Sequence, residues 1–284
     1  MSLDRRLHAF RDDLADKALE GRVKAARFVE GQPARLCVPV AALRPRPDGA
    51  SGIDTELLFG EDVTVFDRAD GWAWVQAKSD GYVGYLPESA LAGDAGQPTH
   101  HVIVPRTFAY PGPDLRFPVS AALSMGSRIT VVGEAETRGT RYFLLADGRA
   151  VVAQHCLALG DHASADYVAI AARFLETPYL WGGRSGFGID CSGLVQLALQ
   201  MTGRPAPRDS DMQAAGLGDE IAREELRRGD LVFWKGHAGI MADERTLLHA
   251  NGHTMTVALE DFEAAVQRIG WLYEYPTGYR RPVA

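Results

Sequence analysis

Cysteine is scarce. The three in 284 residues, Cys37, Cys156 and Cys191, are odd in number and widely spaced, which excludes a disulfide framework and points to a reducing compartment with an available thiol. Long apolar runs are missing too: none approaches the roughly 20 residues that cross a bilayer as a helix, so no membrane partner is expected. The first thirty residues carry Asp4, Arg5, Arg6, Arg11, Asp12, Asp13, Asp16 and Lys17 and lack the apolar core of a signal peptide. The chain as written is therefore expected to be cytoplasmic, unless a processed leader is missing from it. Nor is there a basic excess. A net charge of −7 argues against nucleic acid and against a wall-polymer binder that works through basic patches. What remains is an ordinary globular composition, 46% apolar and 24% charged, long enough for two or three cores.

Leu3, Leu7, Phe10, Leu14 and Leu19 fall at mostly helical spacing, so residues 1–31 read as an N-terminal helix packing across the domains after it. From about Gln32 to Gly160 the chain repeats itself with a constant offset of 66 residues: Val38-Pro39 returns as Val104-Pro105, Pro45, Pro47 and Asp48 as Pro111, Pro113 and Asp114, and Gly60, Val63 and Val65 as Gly126, Ile129 and Val131. Each unit alternates short β-branched runs with turns such as Asp70-Gly71, Asp80-Gly81 and Asp147-Gly148, the pattern of a small barrel. The stretches from Gly71 to Val75 and from Asp80 to Leu86 resemble bacterial SH3 domains, which implies two in tandem, 32–96 and 97–160. The first copy keeps Trp72, Trp74, Tyr82 and Tyr85, whereas the second has fewer aromatics. Trp74 and Tyr85 read as core, and Tyr82, between Gly81 and Gly84, as a turn-edge residue. Cys37 and Cys156, in apolar strand-like contexts, also read as core.

In the remaining 161–284, a helix is expected before Pro178, with Ser164 as N-cap and Val168, Ala171, Ala172 and Leu175 buried. The stretch from Thr177 to Gln200 then sets Cys191 after a glycine-rich loop (Gly182, Gly183, Gly186) and just ahead of the helical apolar spacing Leu194, Leu197, Ala198, Met201. Gly203 and Pro205 stop that helix. A cysteine in or before a first helical turn meets unpaired N–H groups and the positive end of the dipole, so its pKa is expected below the unperturbed value of about 8.5. The glycines and Asp190 read as a loop whose backbone approaches a ligand.

A reactive thiol needs a base. Leu231–Trp234, His237–Met241 and Thr246–Ala250 read as three short strands, and folding the last two together makes His237 and His249 directly opposed, same-face neighbours about 5 Å apart at Cβ. His237 then reads as base and His249 as the imidazole that orients it, with Asn251 and His253 as other candidates for the second role. Two close histidines also raise the question of zinc, but no third and fourth ligand stand at recognisable spacing, so no metal and no cofactor are expected. For Asp209-Ser210 two readings stay open. One is a helix cap, with Gln213 three residues after Ser210 as in a capping box; the other is a carboxylate for a substrate ammonium.

Tyr179, Trp181, Gly182 and Gly183, then Asp190-Cys191-Ser192-Gly193-Leu194, Gly229 to Phe233, His237 with Gly239 and Ile240, and Leu248-His249-Ala250 together resemble the NlpC/P60 family of papain-like cysteine peptidases. The departures are small: Ala238 stands where that family usually has valine, and the turn after Met241 lacks its common glycines. The resemblance implies an α+β fold, a papain-like NlpC/P60 domain behind two SH3-like barrels and the N-terminal helix. It also implies a Cys191, His237, His249 triad acting on murein peptides between D-glutamate and a diamino acid, diaminopimelate or lysine; separately, a monomer is expected. Tyr179, Trp181, Asp190, Ser192, Asp209 and Ser210 would line the non-prime side, with Tyr82 closing one end, so that a free N-terminal L-Ala is held and wall peptides are recycled. Three other readings are a secreted hydrolase of intact wall, a non-catalytic wall-binding module, and an acyltransferase on the same fold.

Overall fold

The computed structural model describes residues 3–92 and 96–283 and divides into two compact units, 1–159 and 160–284. In the first unit the 66-residue repeat is written into the backbone. Thr55–Leu58 and Ala121–Ser124 are strands at the same place in each copy. Leu36 N–H donates to the Glu61 carbonyl and Gly60 N–H to the Leu36 carbonyl; Val102 N–H likewise donates to Ser127 and Gly126 N–H to Val102. Even the irregularities repeat, with a bulge between Val65 and Asp67 and another between Val131 and Gly133. Bulges bend a strand and tighten its twist, which lets a sheet this small close on itself. Each copy has its own core, one around Leu36, Leu43, Leu57, Val75 and Leu86 and one around Val102, Ala109, Leu123, Ile129 and Val151.

Three expectations for this unit are corrected. Residues 3–31 contain no α-helix: Leu14–Asp16 pairs in parallel with Arg27–Val29, joined by a short 3-10 turn at Lys17–Leu19. The Asp16 carboxylate caps that turn, and Gly21, at φ 77°, reverses the chain, so local side-chain chemistry breaks the helix that the leucine spacing suggests. Ala9 and Leu14 instead pack with Phe66, Trp74 and Val83, while Arg11 lies over the Trp74 ring and pairs with Asp67 at 2.6 Å. Tyr82 is 4% exposed and belongs to the core of the first barrel, not to its edge, whereas Tyr85, half-buried, packs beside Trp74. Cys37 is exposed and Cys156 buried, with burial pushing the Cys156 thiol up to about 12.

The second unit is built round one helix. Its helices are α1 (Tyr167–Ala172), α2 (Cys191–Gln200), α3 (Ser210–Gly216) and α4 (Phe262–Leu272). Its antiparallel sheet has strands β1 (Asp219–Glu220), β2 (Leu231–Trp234), β3 (His237–Met241), β4 (Thr246–Asn251), β5 (Thr256–Asp261) and β6 (Gly278–Arg281), in the order β1-β6-β2-β3-β4-β5. The periodicity gives α2 one buried face, but every residue from Cys191 to Leu199 is buried, because α1 covers one side and β3 and β4 the other. Leu194, Val195, Leu197 and Leu199, each at 1% exposure or less, contribute roughly 1.5–3 kcal/mol apiece to seating it. The helix before Pro178 starts later than expected, capped by Asp166 instead of Ser164, and Leu175 lies outside its buried face.

Gly60, at φ 77°, has the carbonyl oxygen of Arg128 2.0 Å from where a Cβ would sit, while Gly71, at φ 78°, has nothing within 4 Å. Gly71→Ala is expected to cost the left-handed conformation alone, roughly 1–2 kcal/mol. Gly60→Ala is expected to cost at least about 1 kcal/mol more, since backbone must also move. Urea midpoints of the two variants check the difference.

Candidate active site

Cys191 is the first residue of α2, and the reason is Asp190. Its carboxylate accepts from Gly193 N–H at 2.7 Å, satisfying an orphan donor of the first turn, and from Gly182 N–H at 2.9 Å, which ties the glycine loop to the same point. Arg208, 1% exposed, donates to both its oxygens, at 3.0 and 2.6 Å, and to Ser192 Oγ at 2.9 Å. Burial, which disfavours a charged guanidinium, is outweighed by Asp190, so Arg208 stays charged. Sequence reasoning offered Asp190 and Ser192 as ligand contacts; the structure occupies their polar atoms with the loop, the helix and Arg208. Gly183 is likewise explained by packing within the protein, as is Gly193 in the first turn of α2. A Cβ on Gly193 would sit 2.4 Å from the Gly183 carbonyl oxygen, and one on Gly183 would sit 2.6 Å from that of Gly188.

The cysteine keeps 6% of its surface. Its Sγ lies 4.0 Å from the Gly236 carbonyl oxygen and receives the Ala238 N–H, so it rests against the strand backbone on both sides of His237. Residues 176–179 are zipped to the edge of β5, with Glu176 N–H donating to Val257, Val257 N–H to Thr177 and Tyr179 N–H to Met255. That pairing fixes the Tyr179 backbone; burial first, then electrostatic coupling to Cys191 and Asp190, pushes its phenol up. Trp181 stands 69% exposed on the same loop.

His237 and His249 meet, by a route different from the expected one. Ile240 pairs with Leu248 and Met241 with Leu247, two residues away from the register that would set the histidines opposite each other. The cause is a four-residue turn at 242–245, where the Asp243 carboxylate accepts from Arg245 and Thr246 N–H. A slip of two keeps every side chain on its face, so the imidazoles meet diagonally, His237 Nε2 lying 2.9 Å from His249 Nδ1. The indole of Trp234 lies against the His237 ring, with centroids 5.5 Å apart. Asn251 and His253, the other candidates for the orienting place, are used locally: the Asn251 amide oxygen accepts from His253 and Thr254 N–H.

Beyond His249 stand two residues that sequence reasoning missed. His249 Nε2 is 3.1 Å from Glu260 Oε2, and Arg268 grips Glu260 at 3.0 and 2.5 Å. The pairing of β4 with β5 holds the signal. His249 faces Ala258, so Glu260, two residues on, is a diagonal same-face neighbour. Asp209 and Ser210 are partly exposed at the start of α3. Asp209 occupies the N-cap position without a side-chain cap bond, and Gln213 donates to the Ser192 and Pro207 carbonyls, so the capping box is not formed. Among the described residues no group of three or more His, Cys, Asp or Glu side chains is suited to a metal.

The electrostatics reverse one expectation. Burial pushes the Cys191 thiol up to about 12, aided by the Asp190 charge, against the smaller help of the Ala238 and Ser192 backbone and Arg208. Burial also takes His237 down to about 3 and lowers His249. Both shifts favour the neutral forms, thiol at Cys191 and imidazole at His237, because desolvation exceeds what a helix N-terminus supplies.

Two outcomes are expected from these groups. Removing the guanidinium in Arg208→Met leaves the Asp190 carboxylate buried without its cation and is expected to cost about 3–5 kcal/mol in urea unfolding. His237 and His249 titrate below their unfolded value of 6.5, so below that pH the unfolded chain binds more protons and stability falls, down to about pH 3 for His237. Glu260, lowered from 4.5 to about 2 by His249 and Arg268, adds the same sign in its own window. The urea midpoint is expected to fall steadily from about pH 7 to about pH 4, with a shallower slope in His249→Gln.

Residues 176–269 match the NlpC/P60 family, and residues 43–91 match the bacterial dipeptidyl-peptidase SH3 domain. A gamma-D-glutamyl-L-lysine dipeptidyl-peptidase of Bacillus cereus is 29% identical over 212 residues, which are 67% of this chain and 62% of that protein, so the chain spans just under two thirds of that relative. Dipeptidyl-peptidase 6 of Lysinibacillus sphaericus is 28% identical over 234 residues, 75% of this chain and 85% of that one. The crystal structure of an NlpC/P60 family protein from Bacillus cereus shares the fold, with a TM-score of 0.75 at 23% identity over 89% of this chain and 100% of that chain. With a cysteine heading the buried helix and two imidazoles in contact on the facing sheet, the second unit carries a domain of the NlpC/P60 cysteine-peptidase type over residues 176–269, with a bacterial SH3 domain ahead of it.

Proposed function

We propose that the protein is an endopeptidase that cuts the γ-D-glutamyl–diamino acid bond of murein peptides with a free N-terminal L-Ala, inside the cell. The observation that carries the reading is the seat of Cys191 at the head of α2, its sulfur against the backbone on either side of His237. The names of the relatives, which are gamma-D-glutamyl-L-lysine and type 6 dipeptidyl-peptidases, supply the bond. An exposed thiol at Cys37 suits a reducing compartment.

An amide needs a nucleophile, a proton for its leaving amine and donors for the oxyanion. Because the thiol is neutral at rest, its proton passes to His237 as Sγ attacks the D-glutamyl γ-carbonyl carbon. The tetrahedral oxyanion faces the N–H groups at the start of α2. His237 then protonates the departing diamino acid nitrogen, the thioester forms, and water drawn by the same imidazole releases L-Ala-D-Glu. His249 holds the ring of His237 throughout. Tyr179 and Trp181 flank the peptide, and the Asp209 carboxylate with Ser210 takes the L-Ala ammonium.

Incubation with L-Ala-γ-D-Glu-diaminopimelate and with its lysine counterpart, free and N-acetylated, followed by mass spectrometry, is expected to release the dipeptide from the free forms only. Cys191→Ala is expected to release none. Equal rates on free and N-acetylated peptide would sink the amine-recognition claim, and release of peptides from purified sacculi would favour a secreted wall hydrolase. Amide synthesis in place of hydrolysis would favour an acyltransferase.

A further inference from the structure

We propose that Glu260, held by Arg268, is a positioning residue that sets the proton placement of both imidazoles, leaving His237 with a bare Nδ1 for the Cys191 proton. The inference rests on Cys191 and His237 being the reacting pair and goes beyond it by naming what fixes that pair.

The chain of contacts runs from a cation to the ring of His237. Arg268 donates from Nε to Glu260 Oε1 and from Nη2 to Glu260 Oε2. A carboxylate gripped this way has acceptors only, so the contact at 3.1 Å requires His249 to donate from Nε2. A neutral imidazole carries one proton, which leaves His249 Nδ1 an acceptor. The group opposite it, 2.9 Å away, is His237 Nε2, which must therefore carry the proton of that ring. The remaining nitrogen, His237 Nδ1, is then a lone pair. Each step is forced by the one before it, and all begin at Glu260.

The relay also matters when charge appears. As His237 becomes an imidazolium, the negative charge of Glu260 favours it and the positive charge of Arg268 opposes it. The other groups facing this chain are few: His253 adds a weak repulsion at His249, the Trp234 ring lies against His237, and Asp190, Arg208 and Tyr179 face the sulfur. None of these accepts from His249 Nε2. The geometry follows from chain order, since β5 ends at Asp261, which caps α4, and the second turn of α4 returns Arg268 over the strand that carries Glu260.

The test uses the full chain labelled with 15N-histidine. In the parent, both rings are expected to show a protonated Nε2 and an unprotonated Nδ1. In Glu260→Gln the amide presents an N–H group beside Arg268 or His249, and an Nδ1-protonated His237 population is expected to appear. Alkylation of Cys191 by iodoacetamide near neutral pH, and kcat on the tripeptide, are expected to fall together by roughly 10- to 100-fold, as for lost outer partners of functional histidines. KM is expected to stay within about twofold, and Glu260→Asp to recover part of the loss. Arg268→Gln, which keeps the carboxylate, is expected to retain the parent tautomers and gives a second reading should Glu260→Gln fold poorly. Parent tautomers and an unchanged alkylation rate in Glu260→Gln, or altered tautomers in Arg268→Gln with Glu260 intact, would overturn the assignment. The ring nitrogens and the alkylation rate report without any peptide, so a wrong substrate leaves this test standing.

Discussion

The catalytic unit depends on one buried carboxylate. Asp190 accepts from the backbone of the loop before it and of the helix after it, and from the guanidinium of Arg208. A helix whose first turn is buried cannot leave its N–H groups to water, so something must accept from them; an acid there both caps α2 and neutralises a buried cation. As a contributor to stability such a pair is poor, since apolar residues of like volume often do as well. Its value is positional. It fixes the loop, the first turn that bears the sulfur, and through Arg208 the approach to α3, where Asp209 and Ser210 sit.

The same burial decides how the site stores its reactivity. A helix N-terminus favours a thiolate by about 2 kcal/mol at most, and that is less than the cost of stripping water from the anion. Burial therefore favours the neutral thiol at Cys191 and the neutral imidazole at His237, and in the proposed reaction the proton would move as the carbonyl is attacked. Under the proposed reaction such a site depends on proton placement more than a preformed ion pair would, because a base at His237 would need the correct nitrogen bare beforehand. The contacts from His237 through His249 to Glu260 and Arg268 suit that requirement.

In the first unit, one design is used twice and then altered. The turn hydrogen bonds and the bulge recur in both copies, while the aromatic residues are concentrated in the first. There the N-terminal segment lays Arg11 over Trp74 and against Tyr85 and Asp67, so part of that aromatic surface is covered from within the same unit.

By itself the sequence determined whatever is set by local chemistry or strict spacing. The 66-residue offset carried the two barrels, the motif around Cys191 carried the start of α2, and strand alternation put His237 and His249 on one face whichever even register the strands adopt. Tertiary structure decided what depends on partners distant in the chain. The leucine spacing of residues 3–31 did not become a helix: the Asp16 cap and Gly21 turn the chain, and Leu14 packs instead on barrel aromatics; the strand register moved by two because the Asp243 turn chose the loop. Tyr82 moved from the turn edge into the core because burial is assigned by the whole fold. Arg208, Glu260 and Arg268 carry no local mark, since an ion pair becomes visible only when the fold brings its two halves together, and the state of the Cys191 thiol turned on how much water the finished fold removes.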